Sequence, residues 1–213
     1  MSTRFATRFD AGRRLGARLA ERYAAADPLV LGLPRGGVPV AAEVAAALGT
    51  RADDFVVRRL GVPWQPELAF GEVAIGGERV LNADVVSAAR LDDATIDRLT
   101  EAAAAEVLRR ERAYRGDGGT LALGGRTVIL VDDGIATGAT ARAAVEAVRA
   151  VGAAEVVVAA PVAPERVVTQ LREVADDVVV LVAATRFGSV GSFYLDFDQL
   201  SDLDVQDILR ADG

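Results

Sequence analysis

Two adjacent carboxylates, Asp132 and Asp133, close the hydrophobic run of 127-TVILVDDGIATGAT-140, and a Gly/Thr-rich turn follows at once. Carboxylates repel phosphates, whereas free backbone N–H groups at the start of a helix attract them. A site that uses both should bind a molecule with an anionic end and a hydroxyl-rich middle. The backbone of Ala136, Thr137, Gly138, Ala139 and Thr140 supplies the cradle, and the two threonines add hydroxyl donors. Gly138 allows close approach of an anion. Asp132 and Asp133 can accept hydrogen bonds from vicinal sugar hydroxyls or hold Mg²⁺ through water. A sugar phosphate lying along the turn satisfies both halves.

Rival readings of this run fail on particular residues. An isolated DD or TG is most often helix-capping punctuation, but here strand, acids, turn and helix come in one sequence. A Walker loop needs a Lys, as does the acidic pocket of a response regulator, and this chain has no Lys. A second turn, 34-PRGG-37, follows another short apolar run. Gly36 and Gly37 offer unobstructed N–H groups and Arg35 adds charge, although a tight strand-to-helix turn would use the same glycines. The spacing in GLPRGG is not the GxGxxG of a dinucleotide fold.

The elements that must hold these turns alternate between helix and strand. A helix capped by Asp10 carries Leu15, Leu19 and Tyr23 on one face, and a strand spans 29–33. Pro39 opens a helix that Gly49 stops. A second strand is expected at 55–57. Residues 59–82, rich in Gly and Pro, read as a long loop, with a hairpin as one option. A helix spans 92–115, with Ile96, Leu99, Ala103, Val107 and Tyr114 near one face. Strand 127–131 leads through the central turn to a helix closed by Gly152. Strand 155–160, a helix opened by Pro164, strand 178–182, a Gly-rich tail and a short helix at 205–210 complete the chain. Short, β-branched, almost wholly apolar strands alternating with helices predict one doubly wound α/β domain over residues 1–213, its sheet mainly parallel and flanked by helices. Ligands of such sheets bind at the carboxyl ends of the strands. The turns at 34–37, 58–72, 132–140 and 184–196 all fall there.

Composition narrows the chemistry. The chain has 213 residues, no Cys and no His, so thiolates, disulfides and imidazole proton shuttles are excluded, and a metal would sit on oxygen ligands, as Mg²⁺ does. The net charge of −7 opposes nucleic-acid binding. No apolar run reaches membrane-span length, and MSTRFATRFD has no apolar signal core. A soluble cytoplasmic protein is expected.

VILVDDGIATGAT resembles the PRPP-binding motif of the type I phosphoribosyltransferases. LGLPRGGVPVAAEV, VVRRLGVPWQPELAFG and FYLDFDQLSD, in that order, are similar to segments of a group of bacterial phosphoribosyltransferase-like proteins of about this length, so the resemblance covers nearly the whole chain. It implies a parallel core sheet, a mobile lid at about 59–82 and a small C-terminal hood at about 184–200. It also implies that Ala136–Thr140 bind the 5-phosphate of PRPP. Arg35, Gly36, Gly37, Arg58 and Arg59 would bind pyrophosphate, the first loop often through a cis peptide. Arg59 stands where those proteins commonly carry Lys. It joins Asp132 and Asp133 as the residues acting on the reacting atoms, the two acids also facing Mg²⁺ through water or the sugar hydroxyls. Phe193, Tyr194 and Trp64 are the acceptor-side candidates, with core or lid packing as the alternative for each. Glu67 is a candidate acid/base, and Asp196 a candidate contact to metal or acceptor. Hypoxanthine-guanine enzymes carry an Asp where this chain has Ala136, which argues against a 6-oxopurine acceptor.

The implied reaction transfers a 5-phosphoribosyl group from PRPP to a nucleobase or other small acceptor, releases pyrophosphate and uses Mg²⁺, within nucleotide metabolism. The partners expected are PRPP, the acceptor and a second copy of the chain in a homodimer, with neither nucleic acid nor membrane. Two alternatives stand beside it: a non-catalytic PRPP-sensing regulator, and a sugar-phosphate hydrolase releasing orthophosphate.

Overall fold

Runs of Val, Ile and Leu that alternate between two buried faces set the main sheet. The structure, a computed structural model, describes residues 4–74, 79–115 and 122–211, without the side chains of residues 57, 67, 74 and 110–115. Helix α1 (Arg8–Tyr23) leads to β1 (Leu29–Gly32), α2 (Gly37–Leu48) and β2 (Ala52–Asp54). Then come β3 (Val57–Val62), β4 (Gln65–Ala74), β5 (Arg79–Leu81), α3 (Ala83–Ala88) and α4 (Asp93–Arg115). The chain continues through β6 (Thr127–Val131), α5 (Ala139–Ala150), β7 (Glu155–Pro164), α6 (Glu165–Leu171), β8 (Asp177–Ala184) and α7 (Asp202–Ala211). Among the described residues no helix is long and apolar enough to cross a membrane.

The main sheet has five strands in the order β2-β1-β6-β7-β8, and every neighbouring pair is parallel. Val30, Ile129, Val131 and Val157 pack on one face with Leu15 and Leu19 of α1 and Val40 and Val44 of α2. The alternate residues Leu31, Val128, Leu130, Val156 and Val158 pack on the other face, where Val145 and Val148 of α5 and Val167 of α6 join them. This period of two, with both faces covered, is the expected doubly wound α/β arrangement. Because β1 runs out to β2 on one side and to β6 on the other, the strand order reverses between β1 and β6. The crevice at their carboxyl ends is the topological switch point.

Four details differ from the sequence reading. Helix α1 is capped by Thr7, whose Oγ1 accepts the Asp10 N–H at 3.2 Å; Asp10 lies inside the first turn. The second strand is 52–54 rather than 55–57, and the apolar Phe55 and Val56 are buried in the crossing that follows it. β7 runs past 160 to Pro164, because beyond Ala159 it has left β6 and pairs only with β8, so Pro161 interrupts no central ladder. The largest difference is the stretch 59–82, which builds an antiparallel sheet of three strands, β3-β4-β5, followed by Asn82, the cap of α3. Its loop-like composition has a sheet-level cause. A Cβ on Gly61 would lie 2.5 Å from the Pro66 carbonyl oxygen, and one on Gly71 the same distance from that of Val80. Both glycines are places of close strand approach, and Gly61 sits at a register shift. Gly76 and Gly77 lie outside the described residues, as does the side chain of Tyr114; Ile96, Ala103 and Val107 of α4 are buried as expected.

The small sheet packs against α4 and against α5. Glu72 of β4, opposite Arg59 of β3, is half-buried on this face. Burial, together with the charge of Glu146 on α5, pushes its carboxyl up from 4.5 to about 7, against the pull of Arg59. The folded chain therefore binds this proton more tightly than the unfolded chain. The contribution of Glu72 is most favourable below pH 4.5 and is lost as pH rises toward 7. Glu72→Gln should match the parent in unfolding free energy below pH 4.5 and exceed it above pH 7, by about 1 kcal/mol after solvent screening. A pH series of thermal melts measures the difference.

Candidate functional site

The switch-point crevice is walled by the two turns that the sequence singles out. β1 and β6 pair in register from Leu29↔Val128 to Gly32↔Val131, so the turn after each leaves the sheet at the same level. The Leu33 N–H still donates to the Val131 carbonyl at 2.8 Å, which holds PRGG beside the acids. A cis peptide joins Pro34 to Arg35. A Cβ on Gly36 would overlap Asp133 Oδ2, and one on Gly37 would overlap the Val131 carbonyl oxygen. Only glycines let the first turn lie this close to the second.

Both helices that spring from the crevice start on a glycine without a side-chain cap: Gly36 before α2 and Gly138 before α5. By contrast, Thr7 caps α1 and Asn82 caps α3. At the start of α5, the Thr137 hydroxyl takes the Ala139 N–H at a long 3.4 Å, and Gly138 adopts φ +80°. Ala136, Thr137 and Thr140 are exposed. At α2, by contrast with the expectation for PRGG, the Gly37 N–H is taken by the Leu33 carbonyl at 2.9 Å and the Val38 N–H by that of Arg35 at 3.3 Å. The start of α5 keeps first-turn amides aligned with the helix dipole, an arrangement that suits an anion.

Each of the two acids has one oxygen held by an N–H donor. Asp132 Oδ1 accepts the Asp133 N–H at 2.9 Å, and Asp133 Oδ2 accepts Arg8 Nε at 2.7 Å. The two carboxyl groups also lie within hydrogen-bonding reach of each other. Burial raises the Asp132 carboxyl well above the carboxylate range, and the charge of Asp133 adds to it. Burial also raises Asp133, while Arg8 acts in the opposite direction. Two neighbouring acids with one cation between them carry a net charge of about −1 when ionised, which is easier to place beside phosphates than −2.

Arg8 carries no sequence signal for this role. It lies 125 positions from Asp133 and reads as a surface residue of an amphipathic helix. The contact exists because the N-terminal segment pairs with the C-terminal one. Phe5 N–H donates to the Phe193 carbonyl at 2.8 Å, Leu195 N–H to Phe5 at 2.9 Å and Asp196 N–H to Ala6 at 3.0 Å. The Tyr194 hydroxyl donates to the Asp133 carbonyl at 2.5 Å, a second bond from this segment to the acids.

The other sequence candidates divide. Arg35 is exposed at the mouth of the crevice. Arg58 and Arg59 are exposed neighbours on β3, so they project to opposite faces of the small sheet and cannot both face one pocket. Trp64, in the turn between β3 and β4, is 66% exposed. Phe193 and Tyr194 are buried. Phe193 stacks on Phe187 with centroids 5.5 Å apart, and Tyr194 packs between Phe5 at 5.5 Å and Phe197 at 5.0 Å. The packing alternative is the one the structure realises for both. Asp196 is exposed, and the side chain of Glu67 lies outside the described residues.

Residues 6–198 match the model of the phosphoribosyl transferase domain. A Mycobacterium tuberculosis protein named "Putative phosphoribosyl transferase" is 49% identical over 201 residues, covering 94% of this chain and 45% of that protein. The chain thus spans less than half the length of that relative. A solved structure from Thermus thermophilus is 42% identical and covers 99% of each chain with a TM-score of 0.88. A protein of Aquifex aeolicus, 13% identical at a TM-score of 0.50 over 96% of this chain and 85% of its own, shares the fold.

The glycine approach is open to a direct check. Gly37→Ala meets a main-chain oxygen of the central ladder, which has little freedom to move, and should lower the unfolding free energy by about 1–3 kcal/mol in urea titrations. Gly36→Ala meets a carboxylate that can turn, and should cost less stability while loosening the Arg8–Asp133 pair.

Proposed function

The chain belongs to the phosphoribosyl transferase domain family, and from that premise we propose that it transfers a 5-phosphoribosyl group from PRPP to a small-molecule acceptor, releasing pyrophosphate. The observation that carries this reading is the meeting of two glycine turns without side-chain caps with a pair of carboxylates at one switch point. The turn at 136–140 would hold the 5-phosphate on the first-turn amides of α5. The carboxylate oxygens of Asp132 and Asp133 would accept from the vicinal hydroxyls of the ribose. The PRGG turn, with Arg35 and whichever of Arg58 and Arg59 leans toward the crevice, would receive the pyrophosphate.

In that pose the acceptor's lone pair attacks the anomeric carbon, the carbon–oxygen bond to pyrophosphate breaks with its electrons, and the acceptor's proton is released. The sugar passes through a cation-like state, which the net negative charge of the acid pair favours. Most of the protein's contribution is alignment of the two ends.

Among the described residues no cluster of three or more metal-ligating side chains occurs, which argues against a cage built from protein alone. The donor set fits Mg²⁺ of the kind that arrives with a diphosphate and keeps its waters, with Asp132 and Asp133 as the protein's oxygen ligands. Such an ion would neutralise charge on the leaving group. We further read the chain as one phosphoribosyltransferase-like unit, with the small sheet as the cover of the site and the 184–200 segment as its hood.

Two measurements test the reading. Isothermal titration with Mg²⁺ and PRPP should give saturable binding, and a pyrophosphate-release screen over nucleobases and small amines should identify an acceptor. Asp132→Asn keeps the oxygen that accepts from Asp133 and turns the other oxygen into a donor. It should weaken PRPP binding at least about tenfold with little change in melting temperature. Binding without pyrophosphate release for any acceptor would favour the sensing alternative, orthophosphate release the hydrolase, and absence of binding would defeat the proposal.

A further inference from the structure

Arg8 meets three groups at once. Its Nε donates to Asp133 Oδ2 at 2.7 Å, its Nη1 donates to the Asp198 carbonyl at 2.9 Å, and its guanidinium carbon sits 3.8 Å from the centroid of the Phe197 ring. Its side chain is 11% exposed and that of Asp133 is 12% exposed, so this is no surface ion pair of negligible worth. A planar guanidinium can donate in two directions in its plane while an aromatic ring covers its face; an ammonium cannot. The three contacts come from two parts of the chain far apart in sequence. One is the acid pair at the end of β6, and the other is the segment 197–198 that follows the 3₁₀ turn at Val190–Phe193.

The orientation of Asp133 follows from these contacts. The absence of a side chain at Gly36 leaves room for Oδ2, and Arg8 holds that same oxygen, so one atom of the carboxylate is anchored. Without Arg8, the Asp133 carboxylate loses its cationic partner, the strongest of the contacts that oppose the effect of burial on it. Resting on the phosphoribosyl reading above, we infer that Arg8 is the positioning residue of the ribose end of the site. It anchors Oδ2 of Asp133 so that Oδ1 accepts from a sugar hydroxyl, and it ties that geometry to the C-terminal segment through Phe197 and Asp198. Arg8 thus links the C-terminal segment to the carboxylate of Asp133, beside the link that the Tyr194 hydroxyl makes to its backbone carbonyl.

Binding of three probes to the full chain separates this role from a general structural one: PRPP with Mg²⁺, ribose 5-phosphate, and Mg²⁺-pyrophosphate. Arg8→Met should weaken PRPP and ribose 5-phosphate at least about tenfold, or about 1.4 kcal/mol, and leave pyrophosphate within about twofold. Arg8→Lys restores charge without the fork and should recover part of the loss. In a double-mutant cycle, Arg8→Met in the Asp133→Asn background should cost almost nothing further, since its effect runs through Asp133. The inference is overturned if the parent binds PRPP and Arg8→Met binds it equally well. It is also overturned if all three probes weaken together, or if the two substitutions add. A parent chain that binds none of the probes defeats the phosphoribosyl reading itself, and the role of Arg8 with it.

Discussion

The close packing of two turns at the end of one parallel strand pair governs this molecule. β1 and β6 share a ladder up to Gly32 and Val131, and then their chains part. The regular ladder between them ends there, and the main-chain groups that follow turn to other partners, as the Asp132 N–H does with Ala159 and the Gly37 N–H with Leu33. A methyl group at residue 37 would collide with the carbonyl oxygen of Val131, and one at residue 36 with the carboxylate of Asp133. The absence of those two side chains brings an amide-rich turn against an acid-rich one. Every other feature of the site is arranged around that approach.

Electrostatics then divides the crevice. Two helix starts without side-chain caps supply positive potential at its flanks, and the acids supply negative potential at its centre. Arg8 lowers the central charge, and the Tyr194 hydroxyl secures the backbone of Asp133 from the side. The small antiparallel sheet packs on α5, the helix that follows the Gly/Thr-rich turn. Glu72 lies in that interface with Glu146, and its raised proton affinity makes the packing there sensitive to pH near neutrality.

The aromatic C-terminal segment serves a different end from the one its composition suggests. Phe193 and Tyr194 are spent on a cluster with Phe5, Phe187 and Phe197, which fastens the first residues of the described chain to the last third. Leu195 and Trp64 are instead exposed, at 70% and 66%. Family membership rests on a match over residues 6–198, yet the M. tuberculosis relative is more than twice as long, so the same unit also occurs within a larger protein.

Local chemistry made much of this legible in one dimension. Apolar β-branched strands, glycine stops and the run VDDGIATGAT determine a parallel sheet and an acid-bearing turn into a helix, because their causes lie within a few residues of each other. The small sheet was hidden, since Gly61 and Gly71 look like loop residues until a neighbouring strand approaches them. The partner of Asp133 was hidden as well. Periodicity reports which face a residue shares, and it cannot report that residue 8 meets residue 133. That contact, the opposite facing of Arg58 and Arg59 and the burial of Tyr194 were decided by tertiary structure alone, where distance in space replaces distance along the chain.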